Sequence, residues 1–254
     1  MPVALVTGAA KRIGRHLALA MAGEGYDVAV HYGGSEKDAA ETVRLIKEQG
    51  GKAVAFQADL ADTGALDTMM TAIAASLGFV DCLINSASAF EYDTHEDWTV
   101  ARFDWLQAVN LRAPLYLAQR MMHDLPEPTT GLVVNLLDQK LFNLNPDFFS
   151  YTVSKMGLKE VTPLLAQAMA PRCRVNGIAP GLTLRSGDQT EQEFKAVHDR
   201  MPLGRGTNPD DIADALRYLL RAGAVTGAII PVDCGQRLES MDRDIMFMDP
   251  SEDS

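Results

Sequence analysis

Short apolar runs alternate along this chain with longer stretches in which apolar residues recur every three or four positions. The short runs cover residues 3–6, 28–30, 53–56, 82–84, 132–136, 174–178 and 228–232. Strand-length runs separated by helix-length amphipathic stretches predict parallel strands joined by crossover helices. We therefore expect an α/β fold of the Rossmann type, a doubly wound parallel seven-stranded sheet with helices on both faces.

The stretch between the first two runs shows the helical spacing most clearly. Ile13, Leu17, Ala20 and Met21 fall on one face of a helix, because a helix returns to the same side every three to four residues. Similar apolar faces occur in three later stretches, at residues 45–46, 69–73 and 115–122. The first strand, this helix and the second strand thus predict a βαβ unit.

Two segments depart from the alternation of strands and helices. Residues 182–205 are polar and charged and contain Gly187 and Gly204 as hinges, which predicts a loop that covers the substrate. Residues 236–254 are irregular and end in an acidic run, which predicts a frayed tail. The apolar residues 246–248 are the part of this tail that we expect to anchor on a neighbour.

Composition excludes several classes of partner. The net charge of −11, from 23 basic and 34 acidic residues, repels a phosphate backbone and argues against nucleic acid. The three cysteines, Cys82, Cys173 and Cys234, are far apart and odd in number, so neither disulfides nor a metal site are expected. We expect a small-molecule partner.

Length and hydropathy bear on domain count and location. With 254 residues and 47% hydrophobic content, we expect one domain over residues 1–254. Charges interrupt every apolar stretch, so no membrane span is expected. The first predicted strand begins at Val3 and leaves no room for a leader, which predicts a cytoplasmic protein.

A glycine-containing turn follows the first predicted strand and opens the first predicted helix. It reads Thr-Gly-Ala-Ala-Lys-Arg-Ile-Gly over residues 7–14. Small residues such as Gly8 and Gly14 let backbone amides approach a pyrophosphate at the positive end of the helix dipole. Such turns also occur by chance as purely structural turns, and the position between a strand and a helix favours a dinucleotide site.

The end of the second predicted strand bears on which dinucleotide is bound. NAD enzymes normally carry an acid there, which hydrogen-bonds the ribose 2′-hydroxyl. This chain reads His-Tyr-Gly-Gly-Ser over residues 31–35, and Lys11, Arg12 and Ser35 are available to meet a 2′-phosphate. We expect NADPH, although Lys11 as a simple solvated surface charge is the alternative. The residues of this strand end predicted to contact the cofactor are His31, Tyr32 and Ser35.

Tyr151 and Lys155 lie four residues apart, and this spacing places them on one face of a helix. A free phenol titrates near ~10, and a neighbouring ammonium together with the positive charge of an oxidised nicotinamide stabilises the phenolate. The pair therefore predicts a tyrosine whose proton exchange moves toward neutral pH. An isolated pair of this kind is usually a surface pair. Its place after a nucleotide turn favours an acid catalyst here.

Together these motifs resemble the short-chain dehydrogenase/reductase family over residues 3 to about 235. The family's usual turn is Thr-Gly-x-x-x-Gly-x-Gly, and Arg12 replaces the middle glycine here. This departure is similar to the pteridine reductase branch, although Gly34 stands where that branch often carries an arginine. The other landmarks are Asp59-Leu60, Asn85-Ser86-Ala87-Ser88, Asn110, Tyr151-x-x-x-Lys155 and Pro180-Gly181-Leu182-Thr183.

The resemblance implies catalytic roles for four residues. Tyr151 becomes the proton donor and Lys155 its electrostatic partner. Where the family usually has a serine thirteen positions before the tyrosine, this chain has Asp138, and pteridine reductases are similar in carrying aspartate there. A buried carboxyl group can bond a ring N–H or relay a proton to a ring nitrogen. An aspartate that caps or ends the strand is the structural alternative.

Asn110 is the fourth of these catalytic residues. The resemblance implies that it holds a water connecting Lys155 to bulk solvent. On a helix it could equally be a neutral polar residue bonded to the backbone, and the sequence does not separate these two roles.

The resemblance also implies the binding residues. Phe90 matches a phenylalanine that stacks on the flat bicycle opposite the nicotinamide, although most phenylalanines are core residues. The predicted substrate contacts are Arg12, Ser88, Phe90, Asp138 and Tyr151. The predicted cofactor contacts are Gly8, Lys11, Arg12, Ile13, Gly14, His31, Tyr32, Ser35, Asp59, Leu60, Asn85, Ala87, Ser88, Tyr151, Lys155, Pro180, Gly181 and Thr183.

The predicted reaction is hydride transfer from NADPH to a C=N bond of a dihydropterin. One alternative is a reductase of the same superfamily acting on a ketone, sugar or acyl thioester. The other is a catalytically idle NADP(H)-binding sensor. Many relatives are tetramers built through the helices around residues 102–124 and 150–169, so the resemblance also implies a homotetramer or homodimer.

Overall fold

The computed structural model describes residues 1–185 and 190–247, and its centre is a parallel sheet in the order β3-β2-β1-β4-β5-β6-β7. The strands are β1 (Val3–Val6), β2 (Asp27–Tyr32), β3 (Ala53–Gln57), β4 (Val80–Asn85), β5 (Gly131–Leu136), β6 (Cys173–Pro180) and β7 (Ile229–Val232). All seven coincide with predicted apolar runs, and neighbouring strands pair in parallel. The predicted doubly wound α/β fold is therefore confirmed.

Helices cover both faces of this sheet. They are α1 (Arg12–Gly23), α2 (Glu36–Glu48), α3 (Thr63–Ser76), α4 (Val100–Gln107), α5 (Ala113–Asp124), α6 (Phe149–Met169), α7 (Glu191–Asp199) and α8 (Pro209–Arg221). Within residues 1–185 and 190–247, no helix combines the length and apolarity that crossing a bilayer requires.

Each face of the sheet has its own apolar core. On one face Leu17 and Met21 of α1 pack with Ile46 of α2 and Leu216 of α8, and all four side chains are fully buried. On the other face α3, α5 and part of α6 pack around Leu117. Burying a side chain of this size stabilises the fold by about 1.5–3 kcal/mol relative to leaving it exposed. The apolar residues that recur along α1 in the sequence thus form the side of that helix that faces the core.

Residues 182–205 were predicted to form a loop, and this prediction is wrong for part of the range, because α7 forms within it. The helix is held by a small apolar cluster built from distant parts of the chain. Its buried members are Val197, Met201 and Cys234. Gly204, one of the two predicted hinges, has a φ of +67°, a left-handed conformation that favours glycine. Gly187, the other predicted hinge, lies outside the described residues.

The tail predicted as frayed over residues 236–254 is folded onto its own chain as far as residue 247. Arg243 forms an ion pair with the buried Asp147, and Phe247 packs on Phe148. The anchoring residues therefore contact the same chain, where the sequence predicted a neighbour. Two short 3₁₀ turns lie in this segment, at Gln236–Leu238 and Ile245–Phe247. Met248 lies outside the described residues.

Candidate active site

The strand order places a crevice between the carboxyl ends of β1 and β4. The chain adds β2 and β3 on one side of β1 and then crosses to β4 on the other, and open α/β sheets bind ligands at such a reversal. Thr7 fixes the two loops that leave these strands. Its side-chain oxygen accepts hydrogen bonds from the backbone N–H groups of Ser86 and Ala87, each at 3.0 Å.

A cleft of about 610 Å³ opens at this point and contains most of the predicted site residues. The predicted residues that line it are Gly8, Lys11, Arg12, Ile13, Gly14, Ala87, Ser88, Phe90, Asp138, Tyr151, Lys155, Pro180, Gly181 and Thr183. A second cleft of about 640 Å³ runs past the ends of β2 and β3 and adds His31, Asp59 and Leu60. Residues from seven separate stretches of the sequence thus meet at one edge of the sheet.

Four predicted site residues lie away from the described lining of these two clefts. Tyr32 packs against the apolar core on the α1 side, and Ser35 stands at the start of α2. Asn85 is buried, and its side-chain amide donates to Asn135 Oδ1 at 2.8 Å. Its side chain therefore joins β4 to β5. Asn110 is the fourth residue and belongs to a π-helical turn, Ala108–Arg112.

The glycine turn has the close packing that a phosphate cradle requires. A Cβ atom on Gly14 would lie 2.2 Å from the carbonyl oxygen of Gly8, and one on Gly8 would lie 2.9 Å from Ala87 Cα. Gly8 also has a φ of +65°. In the described part of the chain, Lys11 at the start of α1 makes no capping hydrogen bond through its side chain. The positive end of α1 therefore faces the cleft uncapped, as an anion site requires.

Arg12 has a left-handed backbone, with a φ of +55°. This conformation suits the glycine of the family's usual turn, since it costs other L-residues roughly 1–2 kcal/mol. The guanidinium donates to the backbone carbonyl of Arg185 at 2.9 Å and to that of Leu184 at 3.5 Å. Arg12 thus joins the glycine turn to the segment that follows β6, across the mouth of the cleft.

The His31 side chain accepts a hydrogen bond from the glycine turn. The backbone N–H of Gly8 donates to His31 Nδ1 at 3.0 Å, so the ring proton is on Nε2, which lies 3.1 Å from the carbonyl oxygen of Ala58. The imidazole is buried, and burial lowers the pKa of His31 to about 4. We therefore place His31 as a neutral residue that positions the turn.

This arrangement predicts a loss of stability in mild acid. His31 binds a proton near pH 6.5 in the unfolded chain and near pH 4 in the folded one. The unfolded chain therefore binds more protons in this window, and the stability of the fold falls as the pH falls. We expect the His31 contribution to the free energy of unfolding to drop by about 2 kcal/mol between pH 7 and pH 5.

Urea titrations at the two pH values measure this effect. His31→Asn should lose the dependence that His31 contributes, whereas His16→Gln, which removes an exposed histidine of α1, should keep it. Equal pH dependence in wild type and His31→Asn would contradict the prediction.

Asp138, Tyr151 and Lys155 meet on the wall of the cleft. The Tyr151 hydroxyl donates to Asp138 Oδ2 at 2.8 Å, and Lys155 Nζ donates to the carbonyl oxygen of Leu136 at 2.8 Å. Asp138 Oδ1 also accepts from the backbone N–H of Lys140 at 2.8 Å. The aspartate therefore caps the 3₁₀ turn Gln139–Phe142, which follows β5, and contacts the tyrosine at the same time.

Burial controls the proton affinities of these three groups. It raises the pKa of Asp138, and it acts with the Asp138 carboxylate to raise the pKa of Tyr151 well above 10. Burial also lowers the pKa of Lys155 to about 8. The sequence predicted that Lys155 and an oxidised nicotinamide together move the pKa of Tyr151 toward neutral pH, and burial and the Asp138 carboxylate act on that pKa in the opposite direction. Tyr151 is thus a protonated phenol at neutral pH, the form that an acid catalyst needs.

The Asn110 side chain positions the loop that follows β4. Its amide donates to the carbonyl oxygen of Ala89 at 2.9 Å and to Ser154 Oγ at 3.0 Å, and its oxygen accepts from the backbone N–H of Ala89 at 2.8 Å. This matches the backbone-bonded alternative drawn from the sequence. The water relay to Lys155 stays a prediction.

Phe90 belongs to an aromatic group at the cleft rather than to the core. Its side chain is 43% exposed and lines both clefts. It stacks on Phe148 with ring centroids 4.2 Å apart and meets the edge of Tyr151 at 4.7 Å. An exposed aromatic ring beside an acid catalyst suits a planar acceptor.

Several lining residues were missed by the sequence analysis. The most polar are Lys140, Gln236 and Asp244, accompanied by Ile245 and Met246. Lys140 stands two residues after Asp138, and this closeness to a predicted site residue is the signal by which the sequence could have identified it. The other four belong to the segment predicted as an irregular tail, whose sequence does not indicate where it folds.

Known proteins share this architecture. A family model described as enoyl-(acyl carrier protein) reductase matches residues 8–237. The FolM alternative dihydrofolate reductase 1 of Brucella suis, solved in complex with NADP, is 39% identical, covers 96% of this chain and 97% of its own, and has a TM-score of 0.90. Its Brucella canis counterpart, also complexed with NADP, is 38% identical with the same coverage and TM-score.

A curated relative comes from another branch. The 3-oxoacyl-[acyl-carrier-protein] reductase FabG of Staphylococcus aureus is 31% identical over 239 residues, which are 91% of this chain and 96% of that protein. The stretch matched by the family model contains the glycine turn, the loops after β4 and β5, and the helix that carries Tyr151 and Lys155. The predicted resemblance is thereby confirmed, and the chain belongs to the short-chain dehydrogenase/reductase family of oxidoreductases.

Proposed function

We propose that this chain is an NADPH-dependent reductase that transfers a hydride to a C=N bond of a dihydropterin. The observation that carries the proposal is the contact between the Asp138 carboxyl group and the Tyr151 hydroxyl, beside the exposed ring of Phe90. A carboxyl group whose pKa is raised can donate to a ring nitrogen as well as accept from a ring N–H. The two FolM proteins, named as dihydrofolate reductases, support the same substrate class.

NADP(H) fits the residues of the cleft. The close approach of Gly8 and Gly14 leaves the backbone of the turn free of side chains, and the uncapped start of α1 suits a pyrophosphate. Lys11 and Arg12 supply positive charge beside it. Both FolM proteins were solved with NADP, which supports this choice of cofactor. When bound, the dihydronicotinamide supplies the hydride.

The chain's own residues supply the proton and the orientation. Tyr151 holds a proton at its hydroxyl oxygen, and Asp138 accepts a hydrogen bond from that hydroxyl. Phe90 offers a face on which a flat bicycle can stack, which is worth roughly 0.5–1.5 kcal/mol beyond area burial. Ser88 and Arg12 line the same cleft. Holding the acceptor in one orientation supplies a large share of the rate acceleration.

A reductase of ketones is the second candidate function. The relationship to FabG, a 3-oxoacyl-[acyl-carrier-protein] reductase, favours it. Asp138 argues against it, because the family usually holds a substrate carbonyl with a serine at this position. An idle sensor would not require the contact between Asp138 and Tyr151.

Oxidation of NADPH in the presence of 7,8-dihydrobiopterin and of a panel of ketones and acyl thioesters tests the proposal. We expect turnover with the dihydropterin, and Asp138→Ser should lower its kcat/KM about 100-fold. The Kd for NADPH should change less than twofold. Asp104→Ser, at an exposed residue of α4, is the matched control and should behave as wild type. Turnover of ketones alone, or equal losses of pterin reduction and NADPH binding, would refute the proposal.

The assembly inferred from the resemblance also remains a proposal. Trp105 of α4 and Met156 and Leu164 of α6 are exposed apolar side chains. These two helices lie in the ranges that the resemblance implicates in tetramers. Association through them would cover this apolar surface.

A further inference from the structure

A short segment near the C-terminus, Arg243 to Phe247, forms one wall of the cleft, and we call it the strap. Asp244, Ile245 and Met246 line the same cleft as Asp138 and Tyr151. The strap contacts the loop that contains Lys140, which lies about a hundred residues earlier in the chain. A substituent on an acceptor ring placed beside Asp138 and Phe90 therefore has the strap as its neighbour.

The strap is fixed by an ion pair with Asp147. Arg243 donates from Nε to Asp147 Oδ2 at 2.8 Å and from Nη2 to Asp147 Oδ1 at 2.9 Å. The backbone N–H of Asp244 adds a bond to Asp147 Oδ2 at 2.7 Å. Although burial acts to raise it, these hydrogen bonds hold the pKa of Asp147 below its ordinary value. The anchor is therefore charged on both sides, and such paired groups fix a segment strongly.

Ring contacts fix the far end of the strap. Phe247 lies parallel to Phe148 with centroids 5.9 Å apart and meets the edge of Tyr92 at 5.1 Å. Phe148 in turn stacks on Phe90. The strap is thus continuous with the aromatic group that borders the proposed acceptor site.

Asp244 and Lys140 form an ion pair in the cleft wall. Lys140 Nζ donates to Asp244 Oδ2 at 3.2 Å and to the carbonyl oxygen of Asp147 at 2.5 Å. Both side chains are largely buried, with 4% of Lys140 and 15% of Asp244 exposed. The only charge of the strap that lines the cleft is thus a carboxylate, which neutralises the ammonium beside it. A substrate carboxylate arriving here would meet Asp244 in place of a free cation.

We propose that the strap determines specificity, and that the Asp244 carboxylate, by neutralising Lys140, selects dihydropterins whose side chain carries no negative charge. This inference rests on the proposed function and adds to it a substrate class. Removing the charge of Asp244 would leave the Lys140 ammonium without its counter-charge and able to bind an anionic side chain. One residue thereby sets the preference between uncharged and anionic acceptors with the same ring.

Two substrates with the same reducible ring test the inference. 7,8-Dihydrobiopterin has an uncharged side chain, and 7,8-dihydrofolate carries glutamate carboxylates. We expect Asp244→Asn to raise the ratio of kcat/KM for dihydrofolate to that for dihydrobiopterin about tenfold over wild type, through a lower KM for dihydrofolate. Asp242→Asn removes the same charge at an exposed residue two positions away and should leave the ratio unchanged.

Two further variants distinguish the effect of the Asp244 charge from the effect of anchoring the strap. Arg243→Gln should raise the KM for dihydrobiopterin severalfold without changing the Kd for NADPH, because the strap is then held less firmly beside the acceptor. Asp244→Ser removes the same charge with a smaller side chain and should raise the ratio in the same direction, so the inference can still be tested if Asp244→Asn does not fold.

The possible results are distinguishable. Reduction of neither pterin would refute the proposed function and this inference with it. Reduction of both, with a ratio that moves less than twofold in Asp244→Asn or equally in Asp242→Asn, would overturn the role of the strap alone. A ratio that stays within twofold of wild type in Asp244→Ser would also overturn it.

Discussion

We expect Tyr151→Phe to lower kcat for dihydropterin reduction about 1,000-fold while the Kd for NADPH stays within twofold of wild type. The hydroxyl that this change removes is the group that contacts Asp138, at 2.8 Å, and the buried ring otherwise remains. Burial and the Asp138 carboxylate raise the pKa of Tyr151 well above 10, so the phenol carries its proton at neutral pH. General acids contribute typically 10²–10⁴-fold to a rate, and Tyr151 is the proposed acid.

Single-turnover reduction with NADPH already bound measures this loss apart from cofactor binding. Tyr218→Phe is the matched control, because Tyr218 is 53% exposed on α8 and the same hydroxyl is removed there. A kcat for Tyr151→Phe within tenfold of wild type would assign the proton to Asp138 instead.

Lys155→Met should lower kcat/KM for the dihydropterin several hundredfold, a loss that also falls within the range for acid–base catalysis. Lys155 is buried beside Tyr151, with Nζ 5.9 Å from the phenol ring centroid. As Tyr151 loses its proton during reduction, a neighbouring ammonium stabilises the phenolate that forms. Lys159→Met removes an ammonium one helical turn further along α6 and should have little effect.

The same lysine predicts a pH limit on the reaction. Burial lowers the pKa of Lys155 to about 8, so the ammonium is present below that pH and is lost above it. We expect kcat/KM to be level below about pH 8 and to fall up to tenfold per pH unit above it. Lys155→Arg keeps its charge at all these pH values and should remove the fall. A profile that is level to pH 10 in wild type would contradict this assignment.

The sequence by itself determined the sheet, the helix α1 and the order of the motifs. Apolar periodicity is a local property, because a residue's side of a strand or helix follows from its position along the chain. The landmarks after β1, β4, β5 and β6 came together for a related reason. In a parallel sheet the carboxyl ends of all strands lie at one edge, so residues that follow different strands become neighbours.

Residues whose partners are distant along the chain could not be assigned in this way. Asn85 follows β4 as the family pattern requires, yet its amide bonds Asn135 of β5. Tyr32 and Ser35 stand at the predicted strand end, yet they lie away from the described lining of the clefts. Helix α7 formed within a predicted loop because Val197 packs against Cys234. For Asn85 and for α7 a long-range contact overrode a local pattern.

Only the tertiary structure decided how the cleft is closed and charged. Arg12 reaches the backbone at residues 184–185, and Asp244 pairs with Lys140 about a hundred residues away in the sequence. The direction of the Tyr151 pKa shift also depends on burial and on the distance to Asp138. Charge interactions and desolvation depend on separation in space, which the order of residues along a chain does not contain.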